Sequence, residues 1–299
     1  MDRIEIIIDK QFDNITIKEF LKQNNVGKAK IESIRVNKEA YLNNKQVDLE
    51  TVIHSMDKLS FIINEKIDFE VDDSIADIVY EDDYLLAINK PLNMIIHPDD
   101  KSKHNTLVNV VANYYQNNQI NRHIRYLHRI DKDTTGLVLF AKDFLSEAIL
   151  FKDFKENKIK KYYLAFIENH LPKKQGVIDY KIGSDRHINN KMVVSKNGKE
   201  AITKYELIES YKDYDLVQFE LITGRTHQIR VHSSYLKCPL LGDVLYGGNY
   251  QYINRVALQS YKIEFIHPIS KQKITITCPL PEDLERLKRK WWNIYYLAL

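Results

Sequence analysis

Cysteine is nearly absent: the chain has only Cys238 and Cys278, with no C-x-x-C pair and no histidine at zinc-ligand spacing. That excludes a disulfide framework and a structural zinc as organising devices. Glycine (9) and proline (7) are scarce while 44% of residues are hydrophobic, which excludes collagen-like and disordered chains. No apolar run approaches the roughly 18 residues of a membrane span; the best is Gly136 to Ala141. The start, Met1 to Asp9, carries acids around a very short apolar run, unlike the basic, longer-cored signal peptide, so it reads as a first β-strand and the expected compartment is the cytoplasm. A one-signed charge excess is missing too. Lys+Arg (44) barely exceed Asp+Glu (41), so any nucleic-acid-binding surface has to be local.

What is present divides along the chain; 299 residues suffice for one large domain or two ordinary ones. Residues 1–64 read as a small α/β module. Thr16-Ile17-Lys18-Glu19 has the S/T-x-x-E form of a helix start, with Phe20 and Leu21 turned inward through Gln23. Asn24 to Gly27 breaks that helix, and Ala29 to Arg35 resumes the spacing with Ile31 and Ile34 on one side. Tyr41-Leu42 and Gln46-Val47 flank Asn43-Asn44-Lys45, a predicted hairpin turn because Asn tolerates positive φ. This order of helix, helix and hairpin resembles the S4 RNA-binding domain. The resemblance implies RNA contacts from the module's basic residues, Lys18, Lys22, Lys30 and Arg35 among them.

Residues 65–77 carry six acids, Glu65, Asp68, Glu70, Asp72, Asp73 and Asp77, and read as a solvated acidic linker. From Ile78 to Leu299, β-like runs (Tyr84–Ile88, Leu137–Ala141, Tyr162–Ile167, Leu216–Leu221) alternate irregularly with helical stretches (Asn105–Tyr115, Ser146–Glu156). Without a βαβ rhythm, an α+β fold is expected rather than a doubly wound sheet. Asn197-Gly198 is a hairpin signal, and a last helix is predicted from Pro281 through Leu284 and Leu287 to Trp291, with Trp292, Tyr295 and Tyr296 packing after it.

In His128-Arg129-Ile130-Asp131-Lys132-Asp133-Thr134-Thr135-Gly136-Leu137, polar residues crowd in front of an apolar strand, which puts Asp131 on a loop at a sheet edge, where reactive groups are commonly displayed. The sequence H-R-I-D-x-x-T-T-G-L is similar to the H-R-L-D-x-x-T-S-G-L motif of RluA-type pseudouridine synthases, and three more segments follow that family's order. These are Asn89-Lys90-Pro91 with His97-Pro98 (Asn93 replacing a turn glycine), Lys161-Tyr162-Tyr163 to Ala165, and Thr223-Gly224-Arg225-Thr226-His227-Gln228-Ile229-Arg230-Val231-His232 with Gly242-Asp243 and Tyr246-Gly247.

The resemblance implies a central, largely antiparallel or mixed β-sheet with flanking helices, and isomerisation of uridine to pseudouridine in structured RNA. It assigns catalysis to Asp131, Tyr163 and Arg230, with Arg230 paired to the Asp131 carboxylate. Arg129, His128, Arg225, His227 and Lys90 are assigned to substrate or RNA. Ribosomal RNA of the large subunit is the favoured partner and transfer RNA the alternative. The chemistry fits these residue types: a carboxylate attacks C1′ or takes the C2′ proton, and a neighbouring arginine orients it. The uracil is retained, so no cofactor is consumed, and a monomer is expected. His227 and His232 do not share a strand or helix face, so no metal site is expected. Two rival readings remain at this stage. One is a non-catalytic RNA-binding assembly factor; the other is a nucleoside hydrolase using Asp131 and His128 with Asp133 or Asp243 to activate water.

Overall fold

The computed structural model describes residues 2–98 and 104–289. Thr16 caps α1 (Ile17–Gln23): its hydroxyl accepts from the Glu19 amide at 3.2 Å, and the Glu19 carboxylate accepts from the Thr16 amide at 2.9 Å. With α2 (Lys28–Asn37), this helix packs on a four-stranded antiparallel sheet ordered Arg3–Ile7, Lys58–Ile62, Ala40–Leu42, Lys45–Gln46. Asn43 and Asn44 both take left-handed φ (48° and 66°), so the turn has two central residues, and Lys45, expected inside it, pairs with Leu42.

This module shares its core with the rest of the chain. Phe144 and Leu145, at the start of α4 (Phe144–Lys155), join Ile4, Phe20, Ile34 and Phe61 in one buried cluster. Lys30 spends its charge on this junction, with its ammonium 4.7 Å from the Phe144 ring centroid. Residues 65–77 keep Asp68, Glu70, Asp73 and Asp77 exposed, as their acids suggest, but the segment is strapped to the rest of the chain. Glu65 meets Arg125 at 2.6 Å, the Asp68 carboxylate accepts from the Ile124 amide at 2.9 Å, and Ile67 and Phe69 pack on the main core. Arg122, in a fork with Asp2, fixes the chain start as well.

The main sheet has eight strands in the order Gln175–Asp179, Ile202–Ser210, Tyr214–Leu221, Lys160–Glu168, Leu258–Ile266, Thr135–Ala141, Leu85–Lys90, Ile78–Glu81, with Lys273–Thr277 and Arg125–Tyr126 added at the side. Every pairing in it is antiparallel except Thr135–Ala141 on Leu258–Ile266, so the fold is α+β with a mixed, largely antiparallel sheet. Strand Thr135–Ala141 is buried along its whole length because both faces are covered. Val138 and Phe140 face α3 (Leu107–Asn117), whereas Leu137 and Leu139 face Leu150 of α4. Gly136 sits at the parallel pair with φ +108°, and a Cβ there would lie 2.1 Å from the Ser260 carbonyl oxygen. Only glycine lets the two strands close at the end that carries Asp131.

The Asn197-Gly198 turn forms, but its arms do not pair with each other. Ile182 lies between them, bridging Val194 on one side and Lys199 on the other. Two further helices complete the described chain, α5 (Gln228–Tyr235) and α6 (Glu282–Arg289), the latter burying Leu284 and Leu287. Trp291, Trp292, Tyr295 and Tyr296 lie outside the described residues. Among the described residues no helix is long and apolar enough to cross a membrane.

Candidate active site

Asp131 opens a tight turn, its carbonyl accepting from the Thr134 amide at 3.1 Å, directly before the buried strand Thr135–Ala141. The turn is braced from below by Lys90. That ammonium is fully buried and donates to the carbonyls of Pro91 (2.9 Å), Met94 (2.9 Å) and Lys132 (3.2 Å). Asn93, at φ +62°, adds its amide to the Lys132 carbonyl at 3.1 Å, so the expected left-handed turn joins the entry loop to the Asp131 turn. The assignment of Lys90 to RNA is therefore corrected: a side chain with no exposed surface and three carbonyl partners is a brace, not a phosphate ligand.

Burial pushes the Lys90 ammonium down to about 8, against the pull of Asp131 and Asp133 in the other direction. Below that pH three N–H donors serve three carbonyls; above it a neutral amine has two donors and a lone pair facing an oxygen. The single-turnover rate is accordingly expected to fall as pH rises through about 8, and a rate that stays flat across that region would show that Lys90 keeps its proton there.

Asp131 lines a cavity of about 780 Å³ together with His128, Arg129, Tyr163, Arg225, His227 and Arg230. Tyr163 comes from strand Lys160–Glu168 and is buried, while Tyr162 on the opposite face meets Lys262 at 4.0 Å. Burial, with the Asp131 charge adding to it, pushes the Tyr163 phenol well above its ordinary value, so it stays neutral. Arg225, His227 and Arg230 come from the loop and first turn at α5. Gln228, buried there, accepts from Thr223 Oγ1 and the Arg225 amide and donates to the Ile202 carbonyl and Thr203 Oγ1 at 2.9–3.0 Å. These four bonds shape the loop and leave His227 as a left-handed helix cap at φ +56°. Burial lowers the His227 pKa, and its Nδ1 shares a hydrogen bond with the Tyr246 hydroxyl at 2.9 Å.

The expected pairing of Arg230 with Asp131 is also corrected. The guanidinium forks onto Asp243, with Nε and Nη2 each 2.8 Å from a carboxylate oxygen, and its Nη1 reaches Asp133 at 3.3 Å. Tyr246 supports it from one face, 5.1 Å from ring centroid to guanidinium carbon. Asp131 has no hydrogen bond or ion pair to its carboxylate among the described residues. Its charge is felt by Arg230, His227, Lys90, Tyr163 and Tyr246. Asp243 and Tyr246 were legible as the G-D-x-x-Y-G segment, but nothing in it says which side chain the aspartate holds.

His128 has Nε2 within 3.2 Å of the Leu139 amide, so that nitrogen accepts and the ring is neutral. Its burial, reinforced by Lys161, lowers the pKa to about 3. Arg129 is exposed at the cavity with no hydrogen-bond or ion-pair partner among the described residues, and Arg225 is tied through Nε to the Glu200 carbonyl at 2.8 Å. The N-terminal basic residues stand apart from this cavity. Lys18 pairs with Glu50 (2.6 Å), Arg35 with Glu32, Lys30 faces Phe144, and only Lys22 of the four is exposed without such a partner among the described residues. Their carboxylate neighbours reduce the basic face that the module's composition suggested.

Residues 84–235 match the family described as RNA pseudouridylate synthase, and residues 4–59 match the RluD ribosomal pseudouridine synthase N-terminal domain. An uncharacterized RNA pseudouridine synthase of Bacillus subtilis, YhcT, is 37% identical over 267 residues, 88% of this chain and 86% of that one. The ribosomal large subunit pseudouridine synthase D of Nitrosomonas europaea is 37% identical over 227 residues, 73% of this chain and 65% of that one. Among solved structures, the human RNA pseudouridylate synthase domain containing 4 aligns with a TM-score of 0.58 at 26% identity, covering 71% of this chain and 92% of the other. A family match over half of the chain and a likeness to a bacterial relative over 88% of it thus agree: the chain belongs to the RNA pseudouridylate synthase family and is an RNA pseudouridine synthase.

Proposed function

We propose that this enzyme converts uridine to pseudouridine at a defined position of large-subunit ribosomal RNA, with Asp131 as the catalytic carboxylate. The observation that carries the assignment is the state of Asp131: of the three carboxylates around Arg230 it is the one with no hydrogen bond or ion pair among the described residues, while Asp133 and Asp243 are engaged by the guanidinium. Glu200, which also lines the cavity, is exposed at its edge and lies outside the family motifs. An unpaired carboxylate lining the same cavity as the Arg230 guanidinium is available to a sugar carbon or a sugar proton. The ribosomal preference rests on relatives whose names specify the ribosomal large subunit.

In this reading the target uridine leaves its stack and enters the cavity, because C1′ and both edges of the base have to be reached. Tyr163 stacks against the uracil. Its raised pKa favours that platform role, since a neutral phenol is a poor base for the C5 proton. Asp131 attacks C1′, or removes the C2′ proton in a glycal route, as the N1–C1′ bond breaks. The uracil turns and C5 bonds to C1′, displacing the Asp131 carboxylate in the first route or, in the glycal route, adding as Asp131 returns the proton to C2′. The C5 proton is then lost and N1 gains one, so product and substrate have the same atoms. Arg230, locked by Asp243, supplies positive potential without consuming the carboxylate. Arg129, unpaired at the rim, fills the space that the flipped base vacates. Residues 1–64 act as an S4-type RNA-binding module, 65–77 as a connecting segment strapped to the catalytic unit, and 78–299 as that unit.

The hydrolase reading is weakened on both of its candidates for a second carboxylate, since Asp243 is fully buried in a fork and Asp133 is held by Arg230 at 3.3 Å, and its His128 is neutral. The test is incubation of purified protein with unmodified large-subunit ribosomal RNA and, separately, unmodified transfer RNA, followed by nucleoside analysis. Pseudouridine in the ribosomal RNA is expected. Product in transfer RNA alone would move the substrate, and free uracil would overturn the isomerase assignment.

A further inference from the structure

Lys161 differs from the other cations at this cavity in being both largely enclosed and unpaired; Arg129 and Lys155 have no hydrogen bond or ion pair among the described residues either, but both are exposed. Lys161 lies two residues before Tyr163 on the same strand, so the period of two turns both side chains to one face, and both line the cavity. Arg230 is held by Asp243, Arg225 by a carbonyl and Lys90 by three carbonyls. Lys161 is largely enclosed, yet among the described residues it has no hydrogen bond and no ion pair. Its nearest aromatic partner, Phe154, is 5.9 Å away, at the outer limit for a cation–π contact.

Gly224 opposite it contributes no side chain: a Cβ there would have only the Lys161 ammonium nearby, at 3.9 Å. Space next to the charge is thus left open rather than filled. Burial lowers the Lys161 pKa with no counter-charge to oppose it. An enclosed, unpaired ammonium destabilises the free protein, and an incoming anion would reverse that cost. On a flipped nucleotide the base and sugar are neutral, and the anionic groups are the flanking phosphodiesters.

We propose that Lys161, beside the bare backbone of Gly224, binds a backbone phosphate of the RNA strand that delivers the target uridine. The compact ammonium suits a single phosphate oxygen approaching through a narrow gap. This subsite rests on the reading of the cavity as the RNA-modifying centre. It sets where the strand runs relative to Asp131, with one phosphate held on the Tyr163 side of the cavity.

The test measures binding of unmodified large-subunit ribosomal RNA across a salt series in an Asp131→Asn background, which prevents turnover. Adding Lys161→Met is expected to weaken binding about tenfold and to reduce the slope of log affinity against log salt by about 0.7, the loss of one single-strand phosphate contact. Adding Lys161→Arg instead is expected to keep the slope. The methionine variant is also expected to melt at or above the parent's temperature, because it removes an unpaired buried charge, so weaker binding could not be ascribed to unfolding. Equal affinity and slope for the methionine variant would overturn the phosphate subsite. So would unchanged binding with slower chemistry when Lys161→Met is made alone, which would place the ammonium on the departing uracil. If the wild-type enzyme makes no pseudouridine in this RNA, the parent reading fails, independently of the Lys161 result.

Discussion

Asp131→Asn is expected to lower the single-turnover rate of pseudouridine formation by at least about 10⁴-fold, roughly 5.5 kcal/mol of transition-state stabilisation. The amide has nearly the same shape as the carboxylate but is neither a nucleophile nor a base, so both candidate routes lose their reacting group. The fold has little to lose, because the Asp131 carboxylate has no bonded partner among the described residues and the turn is closed by its backbone carbonyl. Melting temperature and RNA affinity should therefore stay close to wild type, which separates a chemical defect from a structural one. A variant retaining more than about one per cent of the rate, a deficit of under about 2.7 kcal/mol, would move the catalytic role to another group. Asp133, released from Arg230 by a small rotation of its side chain, would then be the candidate.

Much of this architecture is legible in the sequence because it is local. The Thr16–Glu19 box, the two-asparagine turn at 43–44 and the left-handed Asn93 are decided within a few residues, and each forms as its residue types demand. Strand Thr135–Ala141 is legible for a related reason: a continuous apolar run has to be covered on both faces. What could not be read are choices among partners far apart in the chain. Glu65 looks as solvated as the other acids of 65–77 until Arg125, 60 positions away, is folded beside it. Lys90 looks like a phosphate ligand until the carbonyls of Pro91, Met94 and Lys132 surround it. Three carboxylates, Asp131, Asp133 and Asp243, compete for the guanidinium of Arg230, and motif spacing cannot rank them. The ranking follows from burial. Asp243 is sealed beside the arginine with both oxygens aligned to the fork, whereas Asp131 sits where the cavity opens.

That ranking makes Asp243 the second decisive position. Gly242 before it has φ +72°, and a Cβ there would lie 2.0 Å from the Arg255 carbonyl oxygen, so the chain is committed to presenting the next carboxylate inward. Asp243→Ala leaves a buried guanidinium with only the 3.3 Å contact to Asp133. Breaking one side of such a pair is expected to cost about 3–5 kcal/mol, a fall in melting temperature on the order of 10 °C. Activity should fall as well, on the order of 10²-fold, as Arg230 is freed to swing onto Asp131 and tie up the reacting carboxylate. The double variant Arg230→Met with Asp243→Leu separates the two effects. Replacing both partners by apolar side chains of similar size removes the uncompensated charge, so stability should return to within about 1–2 kcal/mol of wild type. The rate should stay low, because the positive potential beside Asp131 is gone. Recovery of both stability and rate in the double variant would show that the pair is a packing device alone and that Asp131 works without the arginine.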